Sequence, residues 1–144
     1  MTYAAPLADM RLVLDTLGDL QEDAAEVADA VLEEAAKFAE NELAPLNRVG
    51  DEIGSVLENG VVRTPPGFRE AYHKYVEAGW NAVHSPPEIG GQGLPQTLAV
   101  TLTEMWNSAC MGWALCPLLN HGALEMLNAH GSPEQKARYL PKLV

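Results

Sequence analysis

Residues 23–40 read DAAEVADAVLEEAAKFAE, and this stretch decides the fold class. Ala24, Val27, Ala28, Val31, Leu32, Ala35, Phe38 and Ala39 recur at three- and four-residue spacing. Glu26, Asp29, Glu33, Glu34, Lys37 and Glu40 fill the intervening positions. A repeat of that period gives a helix one dry face and one wet face. Asp23 reads as its N-cap, with Glu26 three residues on as capping-box partner, and Pro45 is expected to stop it.

The same period extends in both directions. Upstream, a short helix is predicted from Pro6 to Leu17, with Gly18 just past its end. Downstream, residues 46–63 carry Asn47, Gly50, Asp51, Gly54, Asn59 and Gly60 and are expected to form a connector of turns. Thr64 reads as the cap of a third helix with Pro65 at its first position, an apolar stripe of Phe68, Ala71, Tyr72, Tyr75 and Val76, and Gly79 at its end. Residues 85–95, SPPEIGGQGLP, hold too many prolines and glycines for regular structure and predict an ordered loop. Two apolar helices follow, about Pro95–Cys110 and Trp113–Ala129. The second is apolar nearly all round at its start, and both are expected to be largely buried, with Glu104 on the first and Glu125 on the second. Ser132, Pro133 and Gln135 make a complete capping box for a last helix ending at Pro141. The expectation is an all-α bundle of about six helices with no sheet, as a single domain over 1–144.

Charge divides the chain unevenly. Residues 1–60 hold fourteen Asp and Glu against Arg11, Lys37 and Arg48, a net of −11, whereas residues 61–144 are neutral. Such an acidic surface repels phosphate backbones and anionic lipid, so neither nucleic acid nor a membrane surface is an expected partner. No stretch approaches the roughly 20 apolar residues of a membrane span. Asp9 and Arg11 interrupt the first apolar positions, so no secretory signal is read there. With only Cys110 and Cys116 and no CxxC spacing, a cytoplasmic, disulfide-free protein is expected.

Chemistry-bearing patterns are few. His73, His84, His121 and His130 form no HExxH-type pair, and Cys110, Cys116, His121 and His130 fit no structural zinc spacing, so no metal site is expected. No Lys or Arg lies between Lys74 and Lys136 to lower a thiol pKa, and both cysteines are expected to pack in the core. The loop Ile89-Gly90-Gly91-Gln92-Gly93-Leu94 precedes a helix, which admits two readings: a backbone cradle for an anion, or a tight turn that lets two helices approach. No paired carboxylates suited to acid–base work are evident.

Two segments taken together carry a resemblance. Ala78-Gly79-Trp80 followed by Pro86-Pro87-Glu88-Ile89-Gly90-Gly91-Gln92-Gly93-Leu94-Pro95 is similar to the Pro-Glu-x-Gly-Gly-x-Gly pattern of acyl-CoA dehydrogenases. His130-Gly131-Ser132-Pro133-Glu134-Gln135-Lys136-Ala137-Arg138-Tyr139-Leu140-Pro141-Lys142-Leu143 resembles the end of that family's N-terminal helical domain. The segment Leu102-Thr103-Glu104-Met105 through Cys110-Met111-Gly112 matches the helix between them in order and spacing. The stretches Tyr3–Arg11 and Leu43–Asp51 resemble a long-subunit branch that includes the 3-methylmercaptopropionyl-CoA dehydrogenases.

The resemblance implies an FAD flavoenzyme that dehydrogenates an acyl-CoA thioester between its α and β carbons with a glutamate base. An electron-transfer partner would reoxidise the flavin. In this family flavin contacts and base come mostly from later domains, so the catalytic glutamate is expected beyond residue 144, with neither activity nor FAD binding expected of residues 1–144 alone. The start of the helix after Gly112 would face the acyl chain, which makes Trp113, Ala114, Leu115 and Leu118 the candidate substrate-binding residues. Leu118 departs from the medium-chain pattern, which has a glutamate near that point. Apolar surface on the 94–130 helices predicts self-association as a homo-oligomer. A stand-alone helical binding or subunit-pairing module without catalysis is the alternative.

Overall fold

The computed structural model describes residues 3–17, 20 and 22–144. Helix α1 spans Leu7–Leu17 and α2 spans Glu22–Phe38, with a π-helical turn at Ala39–Leu43. Next come α3 (Ala44–Ile53), the strands β1 (Val56–Glu58) and β2 (Val61–Arg63), and α4 (Phe68–Glu77). The long α5 (Gln96–His130) and the short α6 (Pro133–Tyr139) complete the order. The molecule is a helical bundle, as its periodicity predicts, and α2 buries its Ala24, Ala28, Leu32, Ala35 and Phe38 stripe. Gly18 lies outside the described residues.

Pro45 does not end the second helical segment. A proline inside an α-helix clashes with the carbonyl four residues before it. Here the backbone is widened by one residue just ahead of that point, with the Ala44 N–H donating to the Ala39 carbonyl oxygen. That π-turn lets α3 restart with Pro45 in its first turn, where no N–H is needed.

The predicted connector is therefore half helix, and its remainder is a hairpin rather than a run of turns. β1 and β2 pair antiparallel with Leu57 opposite Val62. Asn59 and Gly60 both take positive φ, 50° and 79°, the two-residue turn that Asn-Gly favours because its twist matches the flanking strands. The expectation of no sheet overlooked this Asn-Gly signal. The Thr64 cap also fails. Two further residues are taken up by a turn through Gly67, which stands at the N-cap of α4 with φ 85°.

The core is an aromatic cluster wrapped by the helices. Phe38 meets Trp106 edge-on at 5.3 Å, and Tyr75 meets Trp113 edge-on at 5.3 Å. Trp80 closes on Trp106 at 5.6 Å. Arg11 of α1 joins Asp29 and Glu33 of α2 at the surface. The Ser132 capping box forms as predicted, Ser132 Oγ accepting from the Gln135 N–H and the Gln135 side chain accepting from the Ser132 N–H.

The two apolar helices expected on either side of residues 111–112 run as one element, broken only by an extended Cys110 (φ −157°, ψ 85°). Its second arm is not wholly buried: Met111, Leu115, Leu118, Leu119 and Met126 are exposed. Glu104 and Glu125 are exposed as well, because each falls on the outward side of its arm.

Candidate functional site

The break at Cys110 makes the site. In one straight helix Gln96 and His121 would lie about 37 Å apart. Both instead line a single cleft of about 170 Å³, so the two arms of α5 fold towards each other. One arm contributes Gln96, Val100, Thr103, Trp106 and Asn107, and the other contributes Ala114, Pro117, Leu118 and His121. Tyr75 of α4 completes the lining. On each arm the lining residues recur at three- and four-residue spacing, the period of one helix face.

Five of the ten lining residues are polar, Tyr75, Gln96, Thr103, Asn107 and His121, and two of them are tied to the backbone of their own arm. Asn107 Nδ2 donates to the Thr103 carbonyl at 2.8 Å, and Thr103 Oγ1 donates to the Ala99 carbonyl at 2.9 Å. Burial raises the Tyr75 phenol far above its ordinary range, with Tyr72 adding to the effect. Burial, and then the neighbouring His84, lower the His121 pKa. The lining thus carries no charged side chain near neutrality and presents more apolar than polar surface, which suits an uncharged chain better than an anion.

Four residues were singled out from the sequence, and they divide by helical face. Ala114 and Leu118 line the cleft, Leu118 being 44% exposed. Trp113 lies one layer beneath, buried among Phe38, Tyr72 and Tyr75, its Nε1–H donating to the Phe68 carbonyl at 3.0 Å. Leu115 projects on the outer side and is 49% exposed. Sequence reading missed the other eight lining residues, Gln96, Val100, Thr103, Asn107 and His121 among them. Their spacing on each arm is a signal only once the arms are known to fold together.

The cysteines also separate. Cys110 is buried and its thiol pKa is raised by that burial, whereas Cys116 is exposed, contrary to the expectation that both pack inside. Among the described residues no group of three or more His, Cys, Asp or Glu is arranged to hold a metal ion.

Of the two readings of the glycine loop, the tight turn describes its hydrogen bonds. The N–H groups of Gly90, Gly91, Gln92 and Gly93 donate to the carbonyls of Pro87, Pro86, Ala82 and Ser85. A Cβ on Gly91 would fall 1.9 Å from the Ser85 carbonyl oxygen. These N–H groups are spent on the chain itself, so they are not free to cradle an anion.

Comparison with known proteins agrees with this architecture. The family model described as acyl-CoA dehydrogenase, N-terminal domain, matches residues 25–144. The chain is 40% identical over its whole length to 3-methylmercaptopropionyl-CoA dehydrogenase of Ruegeria pomeroyi, of which it spans 26%. It is 30% identical, over 80% of its length, to butyryl-CoA dehydrogenase of Syntrophomonas wolfei subsp. wolfei, of which it spans 19%. A chain solved in work on the electron transferring flavoprotein of Acidaminococcus fermentans and flavin-based electron bifurcation aligns with TM-score 0.60 at 25% identity, over 87% of this chain and 29% of that one. The chain spans about a quarter or less of the curated relatives it matches. It belongs to the acyl-CoA dehydrogenase family, as its N-terminal helical domain.

Proposed function

We propose that this chain forms one wall of the acyl pocket in an FAD-dependent acyl-CoA dehydrogenase. The observation that carries the reading is the cleft between the arms of α5, to which Val100, Trp106, Ala114, Pro117 and Leu118 contribute the apolar part of the lining. Ala114 and Leu118 touch the acyl chain in this reading. Trp113 fixes the height of the wall from behind through its bond to the Phe68 carbonyl. Leu115, with Met111 and Leu119 one turn to either side, forms an exposed ridge that packs against the rest of the enzyme.

The reaction is α,β-dehydrogenation of an acyl-CoA thioester, with FAD as hydride acceptor and an electron-transfer partner downstream. FAD contacts and the glutamate base belong to polypeptide outside residues 1–144. Glu104 and Glu125 are exposed, and Glu125 is held by His84 at 3.0 Å. The role of this domain is to bury the acyl tail, exclude water and hold the thioester in register. A homo-oligomer is proposed for the intact protein.

The direct test is expression of the complete reading frame, followed by a visible spectrum and assay against acyl-CoA esters. A yellow protein that reduces an artificial electron acceptor only when given acyl-CoA supports the reading. A colourless protein with no acyl-CoA dependence overturns it and favours the subunit-pairing alternative, for which the exposed ridge is the supporting feature.

A further inference from the structure

A groove runs between α1 and the first arm of α5. Two adjoining hollows make it, and they share Val13, Thr101 and Glu104. Met10 and Leu14 are buried at its base, while Val13 and Leu17 of α1 and Val100 of α5 form its upper walls. Those three are 55%, 76% and 56% exposed, so no described residue covers them. Asp9 and Glu104 stand together at one end, both exposed. No Lys or Arg among the described residues pairs with either carboxylate. Arg11, the only cation on α1, is turned to Asp29 and Glu33 of α2. The first arm of α5 holds no Lys or Arg at all. The local excess of negative charge is felt by Tyr3, whose phenol pKa is raised by burial and then by Glu104 and Glu40.

Two helices with an apolar trough between them form the receptor side of helix-in-groove recognition. At about 16 Å, α1 is long enough to bed about three turns of a third helix. We propose that this groove docks a basic amphipathic helix of a separate protein. Apolar residues one turn apart settle between Val13, Leu17 and Val100, and a Lys or Arg reaches Asp9 and Glu104. Charge selects that occupant. A helix of the same polypeptide, packed there permanently, would set two unpaired carboxylates against an apolar seam, and permanent interfaces exclude such charge from their centres. A second copy brings the same net charge of −11 and is repelled. A cationic partner is drawn by that field before contact and meets the two carboxylates on arrival. Val100 also lines the cleft between the arms of α5, but the groove keeps this role whether or not the cleft receives an acyl chain.

The test uses the full-length protein and two probes. The first is maleimide labelling of Val13→Cys, read at residue 13 by mass spectrometry. Rapid labelling at every protein concentration is expected. The second is a short fluorescent helical peptide of leucine and lysine, with a leucine and glutamate peptide as its control. The lysine peptide should bind, protect Cys-substituted position 13 from maleimide, and weaken about tenfold or more as salt rises from about 0.02 to 0.3 M. Asp9→Asn with Glu104→Gln should raise its Kd about fivefold at low salt, the worth of two exposed ion pairs, and flatten the salt dependence. Leu17→Lys should abolish binding. Asp51→Asn with Glu70→Gln, which removes equal charge outside the groove, should change Kd by less than twofold. Position 13 protected at every concentration means that the protein's own polypeptide fills the groove. Protection only at high concentration means that a second copy does. Either outcome overturns the proposal. So does a glutamate peptide that binds equally well, or a loss of affinity no larger for the Asp9 and Glu104 pair than for the Asp51 and Glu70 pair.

Discussion

His121 also makes the clearest prediction at the scale of single residues. Its pKa is lowered by burial and then by His84, with Glu125 acting in the opposite sense. The other titratable group facing it across the cleft is Tyr75, neutral throughout this range. A histidine whose folded pKa lies below its unfolded value adds stability above about pH 6.5, and that stability is lost as pH falls through the folded pKa. Chemical denaturation between pH 7.5 and about 5 should show this loss, and His121→Phe should flatten it. Gly91 offers a sterically simpler case. With its Cβ position 1.9 Å from the Ser85 carbonyl oxygen, Gly91→Ala must displace the loop, and a loss of about 3 kcal/mol or more is expected in urea melts. Ser132→Ala removes one half of a capping box and should cost about 1 kcal/mol.

Among the elements, α5 is the one whose form matters most. Gly112 sits just past the break with nothing within 4 Å of a Cβ placed there. Gly112→Ala should therefore stabilise the second arm by about 0.5–1 kcal/mol through helix propensity alone, raising Tm without changing the fold. A loss of stability there would mean that the break needs glycine's flexibility. The hairpin is the opposite case. Two short strands, with all six residues exposed, hold little energy of their own. Their shape depends on Asn59 and Gly60 staying in the left-handed region, and this was legible in an Asn-Gly pair between Val-rich runs. The π-turn before Pro45 was less legible. Proline indicates where a regular helix must fail, but stopping and widening by one residue both satisfy it. Burial of Ala39 and Leu43 in the turn favours widening, since the chain stays packed against the core.

For the molecule as a whole, the uneven charge and the exposed ridge act separately. Acidic residues of α1 and α2 are solvated or engaged in surface pairs such as Lys37 with Glu34, which contribute little to stability. The ridge of Met111, Leu115 and Leu119, the last 75% exposed, is the surface from which residues 1–144 expressed alone should associate. Sedimentation velocity should show dimers or larger species growing with concentration, and a Leu115→Lys, Leu119→Lys pair should return the monomer. A monomer at every concentration for the unsubstituted chain would remove the ridge as an association surface.

Among the described residues, no helix is long and apolar enough to cross a membrane. The bundle class, the α2 stripe, the Ser132 cap, the ordered Pro- and Gly-rich loop and the family were all present in the amino-acid order. Each depends on neighbours within a few residues, through helical period, cap chemistry or backbone restriction. The cleft was not. It depends on the angle between two helical arms that share an unbroken apolar pattern, and that angle follows from how Phe38, Tyr75, Trp106 and Trp113 pack. The contact of His84 with Glu125 spans 41 positions, and no local rule connects residues so far apart. Tertiary packing alone brought them together beside His121, because only the folded core decides which faces of distant segments meet.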